Sequence, residues 1–333
     1  MLTLPVISIL IPNYNSGSHV RECITSISEQ SFSDWEVVIC DSGSTDESRQ
    51  LLEDFAAEDE RVNFYEVPKE GIYPGWNECL KRARGEYVYI ATADDLCSPD
   101  LLASLCAVLE VNPSVDLAYC RLVKLNASGN RDETAWEQQP LARCNSLLFE
   151  HSHIREAPTE LWRSFFYGHP VISINQLLIR RNLFEKTGLF PTDMGPSGDV
   201  LWHLRALSHS NLLFVHGPYA GWRIHEAQAS TSDARISAMQ CQICRERFID
   251  ENPHLVSGAL RRGMALARWH LLRQKLKPFQ NSFTVREGLD MLLVLFPMAR
   301  ALVRKVFLDR KASFTALVAG EGINANGVQM LNK

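Results

Sequence analysis

Two adjacent carboxylates, Asp94 and Asp95, close the strand-like run Tyr87 to Thr92. Side by side they repel unless a cation or several hydrogen-bond donors compensate them. A hard divalent ion, Mg2+ or Mn2+, would do so while also bridging the oxygens of a diphosphate. The competing reading is a solvated turn in which Asp95 or Ser98 caps a helix opening at Pro99. Asp41 ends an earlier apolar run, where its carboxylate could accept from a base edge or ribose, or close an Asx turn on its own loop. Pro12-Asn13-Tyr14-Asn15 carries the same two readings. Asp199 follows Gly198 at a helix start. The helix dipole there favours the ionised form, which suits a base taking a proton from a hydroxyl and equally suits a simple cap. Arg223 could approach a phosphate, and a neutral His225 could complete a metal site, although a lone His is more often an ordinary core or surface residue.

The elements that must position these residues alternate. Val6 to Ile11, Trp35 to Cys40, Val62 to Val67, Tyr87 to Thr92 and Leu117 to Leu125 read as strands. Helical spacing falls on Val20, Cys23, Ile24 and Ile27, on Asp46 to Ala57 with Ser44 or Thr45 as cap, on Gly75 to Ala83, and from Pro99 to Val111. Residues 131–169 have weak periodicity and are expected to cover one side of a cleft. Val171 to Arg180 resumes an extended pattern, and Asp199 opens a helix carrying Leu201, Leu204 and Leu207. Repeated strand–helix–strand units imply an α/β fold with a mostly parallel sheet and helices on both faces. In such sheets ligands bind beyond the carboxyl ends of the strands, so the clusters at Asn13, Asp41 and Asp94 would share one rim.

Composition is that of a globular protein: 333 residues, 46% hydrophobic and 22% charged. Val6 to Ile11 is too short and lacks a basic leader for a secretion signal, and no charge-free apolar run reaches spanning length. The nine cysteines have no metal-type spacing, Cys241 and Cys244 forming a lone CxxC in a helical stretch, which points to reduced core thiols in a cytoplasmic protein. The net charge of −5 is uneven: residues 261–311 carry 12 Lys or Arg against 3 Asp or Glu. Met298, Leu302, Val303, Val306 and Phe307 lie near helical spacing beside Arg300, Arg304 and Lys305. This reads as a membrane-surface helix favouring anionic lipid on the cytoplasmic face of the inner membrane. The alternatives are a helical cap on the catalytic domain or an interface for oligomerisation.

The order of the motifs resembles that of inverting glycosyltransferases of family 2, which have the GT-A fold. Ile9-Leu10-Ile11-Pro12-Asn13-Tyr14-Asn15 resembles the family's opening strand and nucleotide-binding turn. Val38-Ile39-Cys40-Asp41-Ser42-Gly43-Ser44 is similar to its second motif, and Gly71-Ile72-Tyr73 with Asn77 to the stretch beside the donor. Gly85 to Asp95 resembles the strand leading into a D-x-D-type site. The segment Ile179 to Phe190 resembles the acceptor side, Gly198-Asp199 the catalytic acidic motif, and Trp222-Arg223-Ile224-His225 the closing motif near the diphosphate. The resemblance implies that Asp41 meets the base, that Asp94 touches ribose or donor sugar, and that Asp95, with His225, binds the metal. It further implies that Asp199 is the base. Ser44, Gly71, Ile72, Asn77 and Arg223 join the donor contacts.

The resemblance implies transfer from a nucleoside-diphosphate sugar, with UDP as the expected nucleotide, to a saccharide or lipid-linked saccharide acceptor. No nucleic-acid partner is expected. Residues 1–230 would form the catalytic domain, nucleotide-binding to about 125 and acceptor-side beyond, and residues 231–333 a basic, amphipathic helical extension. The chain departs from the family's frequent Glu-Asp at Gly198-Asp199, from its Arg at Trp76 and from an acidic position at Pro191-Thr192. A sugar-nucleotide-forming nucleotidyltransferase would carry a Gly-rich, Arg-containing loop where Asn13-Tyr14-Asn15-Ser16 stands. A non-catalytic nucleotide-binding protein would have no use for Asp94, Asp95, Asp199 and His225 together. An oxidoreductase would show GxGxxG after the first strand.

Overall fold

The computed structural model describes residues 4–126, 129–132, 149–167, 170–224, 234–255 and 328–330. In chain order these form β1 (Ile7–Asn13), α1 (His19–Ser28), β2 (Trp35–Asp41), α2 (Glu47–Glu58), β3 (Val62–Glu66), α3 (Ile72–Arg82), β4 (Tyr87–Ile90), β5 (Leu96–Cys97), α4 (Leu101–Val111), β6 (Leu117–Leu125) and β7 (Arg131–Asp132). There follow β8 (His153–Arg155), α5 (Ala157–Tyr167), β9 (Leu177–Arg180), α6 (Leu183–Thr187), α7 (Gly198–Leu207), β10 (Leu212–Arg223), α8 (Ala234–Glu251) and β11 (Val328–Met330).

One sheet runs β11-β8-β10-β6-β9-β4-β1-β2-β3, with β5 added to β10 and β7 to β6. Its β3-β2-β1-β4 block is parallel. The residues of β2 and β4 are buried without exception, because helices cover both faces of this block. Antiparallel β9 then separates β4 from β6, and β6 pairs in parallel with β10. The sheet is therefore a parallel α/β half joined to a mixed half, in line with the expected fold class.

Local chemistry moves several element boundaries from their expected places. Asp46, not Ser44 or Thr45, caps α2, its carboxylate accepting from Ser48 N. Helix α3 starts at Ile72, three residues early, because Gly71 turns into it at φ 119. The stretch from Val171 is not one strand. The Gln176 Oε1 accepts from Ile172 N at 2.7 Å and Ser173 N at 3.1 Å, which folds Ile174–Gln176 into a single 3-10 turn before β9 begins.

The chain divides into two compact units, residues 1–231 with 328–333, and residues 232–327. The strand β11 thus belongs to the first unit, where it pairs antiparallel with β8. In the second unit α8 is described, and the basic segment 261–311 lies outside the described residues. Among the described residues, no helix is long and apolar enough to cross a membrane. Cys23, Cys40, Cys79, Cys97, Cys106, Cys120 and Cys244 are buried free thiols.

The loop entering β4 tests how tightly the parallel block is packed. A Cβ on Gly85 would stand 2.5 Å from Ser8 N and 2.8 Å from Ile7 C, both backbone atoms of β1. Gly85→Ala is expected to destabilise the fold by about 1–3 kcal/mol in chemical denaturation. An unchanged denaturation midpoint would show that β1 and β4 have slack at this point.

Candidate active site

The first wall of the site is the turn after β1. Asn15 adopts φ 50, a left-handed conformation that asparagine tolerates, and Gly17 follows at φ 60. Both are tied to the neighbouring β2–α2 turn: Asn15 N donates to Ser44 Oγ at 3.0 Å, Thr45 N donates to Asn15 Oδ1 at 2.8 Å, and Gly17 N donates to Asp46 Oδ2 at 2.7 Å. Asp41 sits beneath these turns with no exposed surface. Its Oδ1 accepts from Asn13 Nδ2 at 2.8 Å and Ser44 Oγ at 2.6 Å, and its Oδ2 from Gly43 N at 3.1 Å and Ser44 N at 2.9 Å. Four donors satisfy a buried carboxylate. Asp41 and Ser44, expected at the nucleotide, shape the turn here, and Pro12, Asn13, Tyr14, Asn15 and Ser42 line the cleft above them.

The second wall is the acidic pair after β4. Asp94 and Asp95 both line the cleft. Asp95 is 3% exposed. Its Oδ2 accepts from Asn175 Nδ2 at 3.0 Å and from the Thr92 hydroxyl, and its Oδ1 accepts from Arg223 N at 2.8 Å. Burial, and then the neighbouring Asp94 carboxylate, push the Asp95 carboxyl well above the usual carboxylate range, against the pull of these donors. Arg223 lies behind this pair. It is fully buried and does not line the cleft; its Nε donates to Asp94 O at 2.9 Å and its Nη2 to Glu22 Oε2 at 2.7 Å. Its guanidinium therefore holds the acidic turn from behind instead of facing a phosphate. His225 lies outside the described residues. Among the described residues, no cluster of three or more His, Cys, Asp or Glu side chains forms.

The third wall combines α3 with the start of α7. Asp199 stands in the first turn of α7 and lines the cleft. Its Oδ1 lies 2.8 Å from the Tyr73 hydroxyl and accepts from Val200 N at 2.9 Å. Gly71 and Ile72 also line the cleft. Asn77 does not. It is buried one turn further on, where its Nδ2 donates to Phe190 O at 2.9 Å and its Oδ1 accepts from Phe190 N at 3.0 Å. Asn77 thus clasps α3 to the segment leading to Asp199.

These walls enclose an open cleft of about 790 Å³, within the size range of small-molecule sites. Glu47, Asp94, Asp95 and Asp199 line it against Lys69 and His19. Sequence reasoning misses Lys69, Tyr73 as a partner of Asp199, and Ser173. Lys69 lies 3.8 Å over the Tyr14 ring, a pairing across 55 residues that no local spacing announces.

Residues 8–188 match the family described as Glycosyl transferase family 2. The uncharacterized glycosyltransferase EpsJ of Bacillus subtilis is 28% identical over 212 residues, which cover 61% of this chain and 56% of EpsJ. Chondroitin synthase of Escherichia coli is 32% identical over 161 residues, 48% of this chain and 23% of that protein. The chain therefore matches little more than half of EpsJ and less than a quarter of the synthase. Among solved structures, S. aureus TarS in complex with UDP-GlcNAc has the same fold, with a TM-score of 0.60 at 18% identity over 92% of this chain and 87% of that one.

The clasp at Asn77 makes a direct prediction. Asn77→Ala leaves the Phe190 backbone groups without their partner and should cost about 1–3 kcal/mol of stability in chemical denaturation. Nucleotide affinity should hold. A weakened affinity at unchanged stability would return Asn77 to the donor site.

Proposed function

The chain belongs to glycosyl transferase family 2; we propose that it is a glycosyltransferase that moves a sugar from a UDP-sugar to an acceptor hydroxyl with inversion at the anomeric carbon, in the assembly of a cell-surface polysaccharide or glycolipid. The observation that carries this reading is the placement of Asp199 and the Asp94–Asp95 pair on different walls of one cleft. A base and a diphosphate-facing acidic pair on different walls suit a displacement in which nucleophile and leaving group occupy opposite faces of the sugar. The UDP-GlcNAc held by TarS supports the choice of donor, and the name of chondroitin synthase supports a saccharide acceptor.

In the proposed step the acceptor oxygen attacks the anomeric carbon and Asp199 takes the hydroxyl proton. The bond to the donor diphosphate breaks, and the nucleoside diphosphate leaves with the electron pair. The turn formed by Asn13, Tyr14, Asn15 and Ser42 binds the nucleoside end, its backbone already fixed by the Asp41 network.

The residues present fit a divalent cation. Two carboxylates meet at the cleft, and the desolvation and repulsion that raise the Asp95 carboxyl are relieved by positive charge. Asp94 and Asp95 would hold Mn2+ or Mg2+ in the manner of hard cations that bind one or two carboxylates plus phosphate oxygens. When bound, such an ion supplies positive charge for the departing diphosphate. A contribution from His225 belongs to the same proposal. The net charge of +9 over residues 261–311 supports a lipid-linked acceptor and a peripheral contact with anionic membrane.

Two substitutions separate the roles. Asp199→Asn should lower turnover by about 10²–10⁴-fold while UDP binding, read by thermal shift, is retained. Asp94→Asn should weaken the thermal shift that UDP gives with Mn2+ relative to UDP alone. Undiminished turnover in the first variant would remove Asp199 as the base, and an unaltered Mn2+ response in the second would remove Asp94 from the metal site.

A further inference from the structure

We infer that Tyr73 is a positioning residue for Asp199, and that the glycine at 198 exists to make room for it; the inference rests on the reading of Asp199 as the base. The Tyr73 hydroxyl lies 2.8 Å from Asp199 Oδ1 and 2.9 Å from Pro196 O, so one phenol ties the carboxylate to the loop that precedes it. Val200 N reaches the same Oδ1 at 2.9 Å. The single phenol proton is shared between Asp199 Oδ1 and Pro196 O, and with Val200 N on the same Oδ1 the carboxylate is held relative to the loop and the cleft.

The ring that carries this hydroxyl is itself fixed. It meets the Trp76 ring edge-on at 5.0 Å and stacks on Phe190 at 6.0 Å with 20° between planes. Gly198 shows what the arrangement requires. Its backbone is right-handed helical, φ −63 and ψ −30, which any residue adopts, so conformation does not demand a glycine. Space does. A Cβ there would stand 2.8 Å from both Cδ2 and Cε2 of Tyr73 and 2.5 Å from Pro191 O. A Cβ before Asp199 cannot be accommodated unless the Tyr73 ring, the Pro191 carbonyl or both move. Tyr73 and Gly198 are a matched pair, one contributing the hydrogen bond and the other the volume for it.

A strut between Tyr73 and Pro196 alone would affect stability and leave the chemical step intact. The two roles separate in the division between kcat and KM. In UDP release from UDP-GlcNAc with Mn2+, Tyr73→Phe should lower kcat about tenfold, the size of one charge-assisted hydrogen bond, with KM unchanged. Gly198→Ala should show the same signature, and the Tyr73→Phe/Gly198→Ala double variant should be no worse than Gly198→Ala, because the displaced ring no longer reaches the carboxylate. Tyr73→Phe in the Asp199→Asn background should produce no additional loss. A wild-type kcat in Tyr73→Phe while Asp199→Asn is inactive overturns the positioning role alone. Turnover retained in Asp199→Asn overturns the base assignment and Tyr73's role with it. A rise in KM at unchanged kcat would make Tyr73 a donor contact and also overturns the inference.

Discussion

Keeping a carboxylate ionised out of water is unfavourable unless donors surround it, and Asp95 gathers its donors from three separate stretches of chain. Thr92 comes from the end of the parallel block, Asn175 from the 3-10 turn before β9, and Arg223 N from the end of β10. Satisfying this one group therefore joins the parallel and mixed halves of the sheet at the floor of the cleft. Arg223 completes the junction from behind, its side chain on Asp94 O and its backbone on Asp95. The acidic pair thus presents itself to the cleft from a turn that has little freedom to relax. Burial of Asp95, and then its repulsion with Asp94, raise the Asp95 carboxyl, and a bound cation would relieve both.

The charge balance of the cleft follows from the same placement. Arg223 is committed to the turn, and Trp76 occupies the position where the family often has an arginine. Among the described lining residues this leaves Lys69 and His19 to face four carboxylates. A nucleoside diphosphate would add further negative charge, and the proposed cation on Asp94 and Asp95 would offset it.

The parts of this architecture that are legible in the sequence are those fixed by local pattern. Ile7 to Ile11 and Trp35 to Cys40 read as strands because burial on both faces leaves continuous apolar runs. Asp94, Asp95 and Asp199 are recognisable as cleft residues because each follows or opens an element at the expected rim. For Asp41, Asn77 and Arg223 the pattern gives the rim but not the hydrogen-bond partners that hold them in the protein. Sequence order locates a polar residue along an element, whereas its partners decide whether it turns to a ligand or to the protein. Tyr73 is invisible as a partner of Asp199 for the same reason: the pair spans 126 positions, and neither residue's neighbours encode it.

Two departures from the family pattern that look independent in the sequence are one packing solution in three dimensions. Trp76 packs edge-on against both Tyr73 and Phe190, at 5.0 and 5.1 Å. Phe190 in turn leans on Trp202 of α7 at 4.8 Å, and its backbone is gripped by Asn77. An arginine at 76 would seek the cleft and its anions, leaving the face of Tyr73 without this wall. A side chain at 198 would occupy the volume into which Trp76 and Phe190 press the ring. Once an aromatic residue stands at 76 and a tyrosine at 73, the glycine before Asp199 follows from close packing. With no side chain at 198, the neighbour that reaches Asp199 is a phenol from α3.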